Sequence, residues 1–385
     1  MSRAAIIAAY ERAYTRHPDR DSTTERVLTE TVRGVLTEAG LGPEDVDGLG
    51  VASFTLAPDH AIDLAWRLGL RLRWIMDDPN GGASALNLLQ HAIHAVESGA
   101  ARTVVLVAGD HFDKATFSEL TANYNRATAE ALTPVGVTGP NALFAMLTQR
   151  HMAAYGLSEK DYAQVPLSQR WWASRNPKAV YRERLALDDY LRAPVVAAPL
   201  RRFDCVPVVT GGDAVVVTAG ATAAGATAGP RVHVRAFAAA HNHDGQEGDG
   251  LRTGLHTVAD DLWASSARQP GDVDLACVYD DYPVMVLAQL HDLGLLPDGD
   301  LDRFLHERLA IDRWPLNPSG GQLSAGQAGA AGGMHGLVEA VTQLLGRAGD
   351  RQVHGARHAV VSGYGMVVYR YGACANAVIL EGVLR

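Results

Sequence analysis

Two stretches of this 385-residue chain bring together residue types that can do chemistry. The first is the turn Pro79-Asn80-Gly81-Gly82-Ala83-Ser84. Its glycines let the backbone come close to a ligand, and the helix it opens offers unpaired N–H groups to an oxyanion. The second is Tyr279-Asp280-Asp281-Tyr282, which follows the apolar run Val273 to Val278. Ligands gather at the carboxyl ends of strands in α/β sheets. Four polar residues there are poor core material, because each buried polar group needs a partner. A tyrosine in such a place suits proton transfer, since burial raises its pKa and hydrogen bonds to the phenolate lower it. A buried pair with satisfied hydroxyls is the plainer alternative for Tyr279 and Tyr282. Tyr364, Tyr369 and Tyr371 lie in strand-like sequence, where tyrosine is common for packing alone. His241 and His243 stand on a glycine-rich loop, either solvated or facing a substrate. No third ligand accompanies them, so no metal is expected. Cys205, Cys277 and Cys374 show no CxxC or His/Cys spacing and read as small buried side chains rather than disulfides or zinc ligands.

The elements that must hold these groups come in repeated units. The first turn leads into a helix, Ala85 to Val96, with Leu86, Leu89, Ala92, Ile93 and Val96 at helical spacing. Gly99 then marks its end, and the strand Thr103 to Gly109 follows. Near the C-terminus Asn317-Pro318-Ser319-Gly320-Gly321-Gln322-Leu323-Ser324-Ala325-Gly326-Gln327 leads into the helix His335 to Leu345 and the strand His358 to Ser362. Two more phrases repeat in the same order. Pro43-Glu44-Asp45-Val46-Asp47 is echoed by Pro270-Gly271-Asp272-Val273-Asp274, and Asp213-Ala214-Val215 by Asn376-Ala377-Val378. Such long-period similarity implies an internally duplicated α/β chain. Residues 1–225 form the first half in this reading and 226–385 the second, with an Ala/Gly/Thr-rich linker at 219–229. The stretch from about 110 to 200 has no counterpart in the second half. It is an insertion that either shapes access to a site or serves as a dimer-packing arm.

The whole chain narrows the possibilities further. A net charge of −9 implies no basic face for nucleic acid. No apolar run approaches a membrane span, and the N-terminal apolar run Ala4 to Ala9 is too short for a signal peptide, so the chain reads as cytoplasmic.

This order of features resembles the thiolase superfamily, and within it the sterol-carrier-protein-type thiolases and their relatives. The match rests on Gly81-Gly82-Ala83-Ser84, Asp204-Cys205, Tyr279 to Tyr282, Asn317 to Gly326 and Gly372-Ala373. The resemblance implies an α/β fold of five αβαβα layers built from two duplicated halves, usually dimeric. It also exposes departures. A thiolase carries its nucleophilic cysteine at the N-terminus of the first central helix, where the dipole lowers its pKa. Counting back from Ser98-Gly99, that position is Gly82. The family's catalytic histidine falls on Gln327, its second cysteine on Tyr369, and the phrase that orients a catalytic water on Tyr279-Asp280. Hydrogen cannot carry an acyl group, so a covalent acyl-cysteine intermediate is excluded here.

Some members of the superfamily are similar in lacking the cysteine. They are retro-aldolases of side-chain degradation that act on β-hydroxyacyl-CoA thioesters with a small partner carrying an OB fold and a zinc ribbon. They use a tyrosine in the Tyr-Asp phrase, which Tyr279 matches; they place another where Gln327 stands, which this chain does not. A retro-aldol step needs a base for the β-hydroxyl proton, then stabilisation and protonation of a thioester enolate. The resemblance therefore implies Tyr279, Tyr282 and Tyr369 as candidate acid–base residues. Gly82, His243, Asp281, Gln327 and Gly372 would contact substrate, with backbone N–H groups near Gly82 or Gly372 and the Gln327 amide holding the enolate oxygen. No cofactor is implied beyond the CoA of the substrate. The expected assembly is a homodimer with, as an option, the small partner. The alternatives are a non-catalytic thiolase-like binding subunit, or an acyltransferase that uses another nucleophile.

Overall fold

The computed structural model describes residues 4–122, 125–137, 139–219, 229–243, 248–296, 299–368 and 371–383. The first half opens with β1 (Ala4–Thr15), α1 (Thr24–Ala39), β2 (Gly48–Ala52), α2 (His60–Leu68), β3 (Trp74–Asp77), α3 (Ser84–Glu97) and β4 (Thr103–Asp110). The inserted region then supplies α4 (Lys114–Ala122), α5 (Gly139–Tyr155), α6 (Glu159–Ala173), α7 (Leu187–Arg192) and a small hairpin, β5 (Val195–Ala197) with β6 (Leu200–Arg201). Strand β7 (Thr210–Ala219) follows. The second half contains β8 (Arg231–His241), α8 (Ala259–Ser266), β9 (Leu275–Cys277), α9 (Pro283–Asp292), α10 (Leu301–Arg303), α11 (Gly321–Ala325), α12 (Gly332–Leu344), β10 (His358–Val368) and β11 (Tyr371–Val383).

Nine strands form one mixed sheet in the order β3-β2-β4-β7-β1-β8-β11-β10-β9, and the halves meet where Ile6 of β1 faces Val232 of β8. The order from each outer edge inward is the same. In the first half β2 lies parallel between β3 and β4; in the second β9 lies parallel to β10, and a single bridge from Ala276 to Leu316 stands where β3 would be.

Alternation along the strands sends side chains into different cores. Val104, Leu106 and Ala108 of β4 join α3 and α12 in a central core, while Val105 and Val107 face α1 and α2. Ala359 and Val361 of β10 point to the same central core, and Val360 points to the cluster around α8 and α9. The layers are therefore α1/α2, the first-half strands of the sheet, α3/α12, its second-half strands and α8/α9. Because α3 is covered from both sides, Leu86, Leu88 and Leu89 are all fully buried. Burying each such side chain contributes about 1.5–3 kcal/mol.

The repeated phrases do repeated work. Asp47 Oδ1 accepts the N–H groups of Arg102 and Thr103 at the start of β4 (2.7 and 2.9 Å). Asp274 Oδ2 accepts those of Arg357 and His358 at the start of β10 (2.7 and 2.9 Å). The other pair crosses between halves. Asn376 of β11 donates to Ala83 O and to Asn87 Oδ1 of α3, each at 2.8 Å. Its counterpart, Asp213 of β7, lies 3.8 Å from His335 Nδ1 on α12. Each half's sheet thus holds the other half's central helix by a polar side chain. The proposed linker lies largely outside the described residues, at 220–228.

Candidate active site

Gly82 sits in a short 3₁₀ turn, Gly81–Ala83, that runs directly into α3. The turn is wedged between elements of the second half. A Cβ placed on Gly333, at the head of α12, would lie 2.6 Å from Gly82 O, and one on Gly363 of β10 would lie 2.7 Å from the same oxygen. Only glycine admits such close backbone packing. The two turn–helix units therefore meet back to back.

Beside this turn lies a cavity of about 390 Å³. Its chemical end is formed by Gly81, Gly82, Tyr279, Gln327, Gly329 and Tyr364. Asp281, Tyr282, Asn141 and Cys205 add polar groups, and Phe54, Phe112, Phe117, Leu120, Val206 and Met366 make much of the remainder apolar. The size and the balance of a few polar groups on an apolar wall are those of a small-molecule site. Among the described residues that line it there is no lysine or arginine.

Tyr279 lies directly beside Gly82. Its ring stands where a Cβ on Gly82 would be, and the carbonyl of Tyr364 blocks the same space. The phenolic oxygen accepts a hydrogen bond from Gln327 Nε2 at 3.0 Å. That same Nε2 lies 3.0 Å from Gln322 Oε1, which orients the amide. Gln327 itself is fixed by the segment before β7: its N–H donates to Pro207 O (3.1 Å), and Val209 N–H donates to its carbonyl (3.3 Å). Gln289 Nε2 donates to the carbonyl of Tyr279 at 2.7 Å.

The two aspartates of the phrase have separate surroundings. Asp280 is buried and accepts from Gln169 Nε2 (2.8 Å), Gln322 N–H (3.0 Å) and Leu323 N–H (3.4 Å). It braces α6 against α11. Burial outweighs these donors and lifts its carboxyl to about 6. Asp281 is 9% exposed, and its Oδ1 has no hydrogen-bond partner among the described residues. Burial, reinforced by the charge of Asp280, pushes its pKa well up; the backbone N–H groups of Tyr282 and Asp281 oppose this only partly.

Tyr282 stacks on Phe144 of α5, with ring centroids 4.2 Å apart, and its hydroxyl donates to Asn141 Oδ1 at 2.6 Å. Both partners come from the inserted region, as do Phe117, Leu120, Thr121 and Asn125 on the cavity wall. Cys205 is half-buried on that wall, where burial and then Asp204 and Asp281 push its thiol up to about 12. Such a thiol is a poor nucleophile at neutral pH.

Two expected contacts are placed differently. Gly372 does not offer its N–H to a substrate: that group donates to the hydroxyl of Tyr364, and the Tyr364 ring fills the space above Gly372. Tyr364, which sequence marked only as a strand tyrosine, reaches the cavity. His243 packs edge to face on His256 at 5.4 Å and is not among the described residues lining the cavity. Tyr369 lies outside the described residues. Sequence reading also passed over Asn141 and Gln322, whose roles depend on partners distant along the chain.

A second polar cluster lies behind the site. His335 Nε2 pairs with Ser319 Oγ (2.8 Å) and Nδ1 with the Tyr14 hydroxyl (3.1 Å). Glu11 and Asp213 carboxylate oxygens lie 3.7 and 3.8 Å from Nδ1, and Tyr14 donates to Asp213. Burial works against charge on His335, but Asp213, Glu11 and Asp280 together lift its pKa to about 9. Both ring nitrogens are engaged, and the raised pKa favours the imidazolium beside these buried acids.

Comparison with known proteins agrees with this geometry. Residues 236–379 match the family described as thiolase C-terminal domain-like. The 17-hydroxy-3-oxo-4-pregnene-20-carboxyl-CoA lyase of Mycobacterium tuberculosis is 32% identical over 380 residues, covering 93% of this chain and 95% of that protein. The steroid side-chain-cleaving aldolase of Thermomonospora curvata is 30% identical over 348 residues, covering 83% and 85%. The solved Ltp2-ChsH2(DUF35) aldolase superposes with a TM-score of 0.83 at 26% identity, covering 98% of this chain and 97% of that one. The chain belongs to the thiolase superfamily. Within it the chain is an enzyme of the aldolase type, a carbon–carbon lyase that works without an acyl-cysteine.

Proposed function

We propose that this aldolase cleaves the Cα–Cβ bond of a β-hydroxyacyl-CoA thioester whose acyl group is large, mostly apolar and steroid-like, with Tyr279 as the base. The observation that carries the reading is the Tyr279 ring in the space a nucleophile on Gly82 would need, with its oxygen held by Gln327. A donor aimed at the phenolic oxygen favours the phenolate. The phenolate takes the β-hydroxyl proton, the freed electron pair forms the carbonyl, and the Cα–Cβ pair moves into the thioester enolate. The N–H of Gly82, in the turn that opens α3, holds the enolate oxygen, where the helix end favours negative charge. The apolar cavity wall, much of it from the inserted region at about 110–200, receives the acyl group. The names of the two relatives support a steroid acyl-CoA in particular.

We also read residues 1–225 and 226–385 as the two duplicated halves and the active assembly as a homodimer. A small DUF35 partner, as in the Ltp2-ChsH2(DUF35) aldolase, would join it. No helix is long and apolar enough to cross a membrane among the described residues. The test is a panel of β-hydroxyacyl-CoA thioesters, steroid and simple, with and without a co-expressed partner. Tyr279→Phe should lose about 10²–10⁴ in rate with binding intact. Full activity in Tyr279→Phe would remove it as the base and direct attention to Tyr282→Phe and Tyr369→Phe.

A further inference from the structure

We propose that Asp281 is the acid that returns a proton to the α-carbon after the carbon–carbon bond has broken; this rests on the aldolase reading above and assigns its second proton transfer. The enolate must be quenched, and Gln327, holding Tyr279, is an amide that cannot titrate. Asp281 lies on the cavity wall two residues from Tyr279, so their α-carbons are at most about 7 Å apart. Both residues line the same cavity.

The placement makes little sense as packing. Asp281 is buried, one of its oxygens meets no donor among the described residues, and the described cavity lining offers no cation to pair with it. An unsatisfied buried polar group costs about 1–3 kcal/mol. The titratable groups around it are Asp280, Tyr279, Tyr282 and Cys205. None of these brings a positive charge. Burial and the Asp280 carboxylate keep Asp281 in its protonated form, which is the form an acid needs.

The step balances. Tyr279 takes the hydroxyl proton as the C–C bond breaks. Asp281 O–H gives its proton to Cα, a C–H bond forms, and a carboxylate remains beside Asp280. That carboxylate is disfavoured, so it takes back the proton that Tyr279 releases through solvent.

The reverse of this step is deuterium exchange at the α-carbon of a product-like thioester, and it can be read without cleavage. Wild type, Asp281→Asn and Asp281→Ser are incubated with acetyl-CoA and propionyl-CoA in D₂O, each co-expressed with any partner, and label is followed by mass spectrometry. Wild type is expected to exchange. Asp281→Asn and Asp281→Ser are expected to exchange about 10²–10⁴-fold more slowly with unchanged thioester binding. Exchange in wild type that slows in both Asp281 variants, with no cleavage of any β-hydroxyacyl thioester by wild type, would reject the substrate reading while upholding Asp281. Exchange at the wild-type rate in Asp281→Asn, or no exchange in wild type, would overturn the assignment.

Discussion

Asp110, at the end of β4, accepts the N–H of Ala330 from the other half at 2.8 Å. Its second oxygen accepts Ser53 Oγ–H (2.7 Å), Phe54 N–H, Thr55 N–H (both 2.9 Å) and Thr55 Oγ1–H (2.7 Å). One buried carboxylate thereby ties the loop carrying Phe54 to the turn carrying Gly329, and both residues line the cavity. Removing it leaves five donors without their acceptor. Asp110→Ala should destabilise the fold by about 3 kcal/mol or more, because each buried donor left unpaired costs about 1–3 kcal/mol. Asp110→Asn, which keeps one carbonyl, should cost less. Urea unfolding of both variants checks the order; equal, small losses would mean the tether is dispensable.

Restoring the missing nucleophile should not restore thiolase chemistry. A side chain on Gly82 meets the Tyr279 ring and the Tyr364 carbonyl, neither of which is the loose end of a flexible chain. Gly82→Cys should therefore cost about 1–3 kcal/mol through overpacking and displace Tyr279, so aldol cleavage falls. Gln327 cannot serve as the histidine base, so thiolysis should stay at background. Measurable thiolysis of a 3-oxoacyl-CoA by this single variant would contradict the assignment of Tyr279 and Gln327.

Much of this arrangement was legible before any coordinates. The echo of Asp47 in Asp274 and of Asp213 in Asn376 marked a duplication, and each pair performs matching tasks in the fold. The glycine turn, Tyr279, Asp281, Tyr282 and Gln327 all reach one cavity. What stayed hidden depends on distant partners. Tyr282 and Asn141 are 141 positions apart, and Asp110 and Ala330 are 220 apart. No local pattern announces such bonds. Strand β3 escaped notice because it is four residues long and only half-buried. The bond from Gly372 to Tyr364 is equally hidden, because the two are joined only once the β10–β11 hairpin closes.

His335 gives the fold a pH dependence of predictable sign. Its folded pKa of about 9 exceeds the ordinary 6.5. The folded chain therefore keeps a proton that the unfolded chain has lost between those values. This contribution is fully present below pH 6.5 and is lost as pH rises towards 9. Urea midpoints should fall across that window in wild type. His335→Gln leaves Glu11 and Asp213 buried without their cation, so it should be less stable by about 3–5 kcal/mol at neutral pH and lack that decline. A decline of equal size in both proteins would place its origin elsewhere.

Tyr282 should hold substrate rather than move protons. Its hydroxyl is already engaged with Asn141, and its ring is fixed against Phe144, so it forms a wall of the cavity. Tyr282→Phe keeps the stacked ring and removes one hydrogen bond, a loss of about 1 kcal/mol. If that bond only shapes the wall, KM should rise about five-fold while kcat stays within about two-fold, the pattern of uniform binding. Asn141→Ala should behave similarly. The double variant should cost little more than either alone, because both singles break the same bond. Steady-state kinetics of the four proteins on a cleaved thioester checks this. A fall in kcat for Tyr282→Phe as large as that for Tyr279→Phe, with KM unchanged, would make Tyr282 a participant in proton transfer. Additive losses in the double variant would mean that Asn141 and Tyr282 meet the substrate separately.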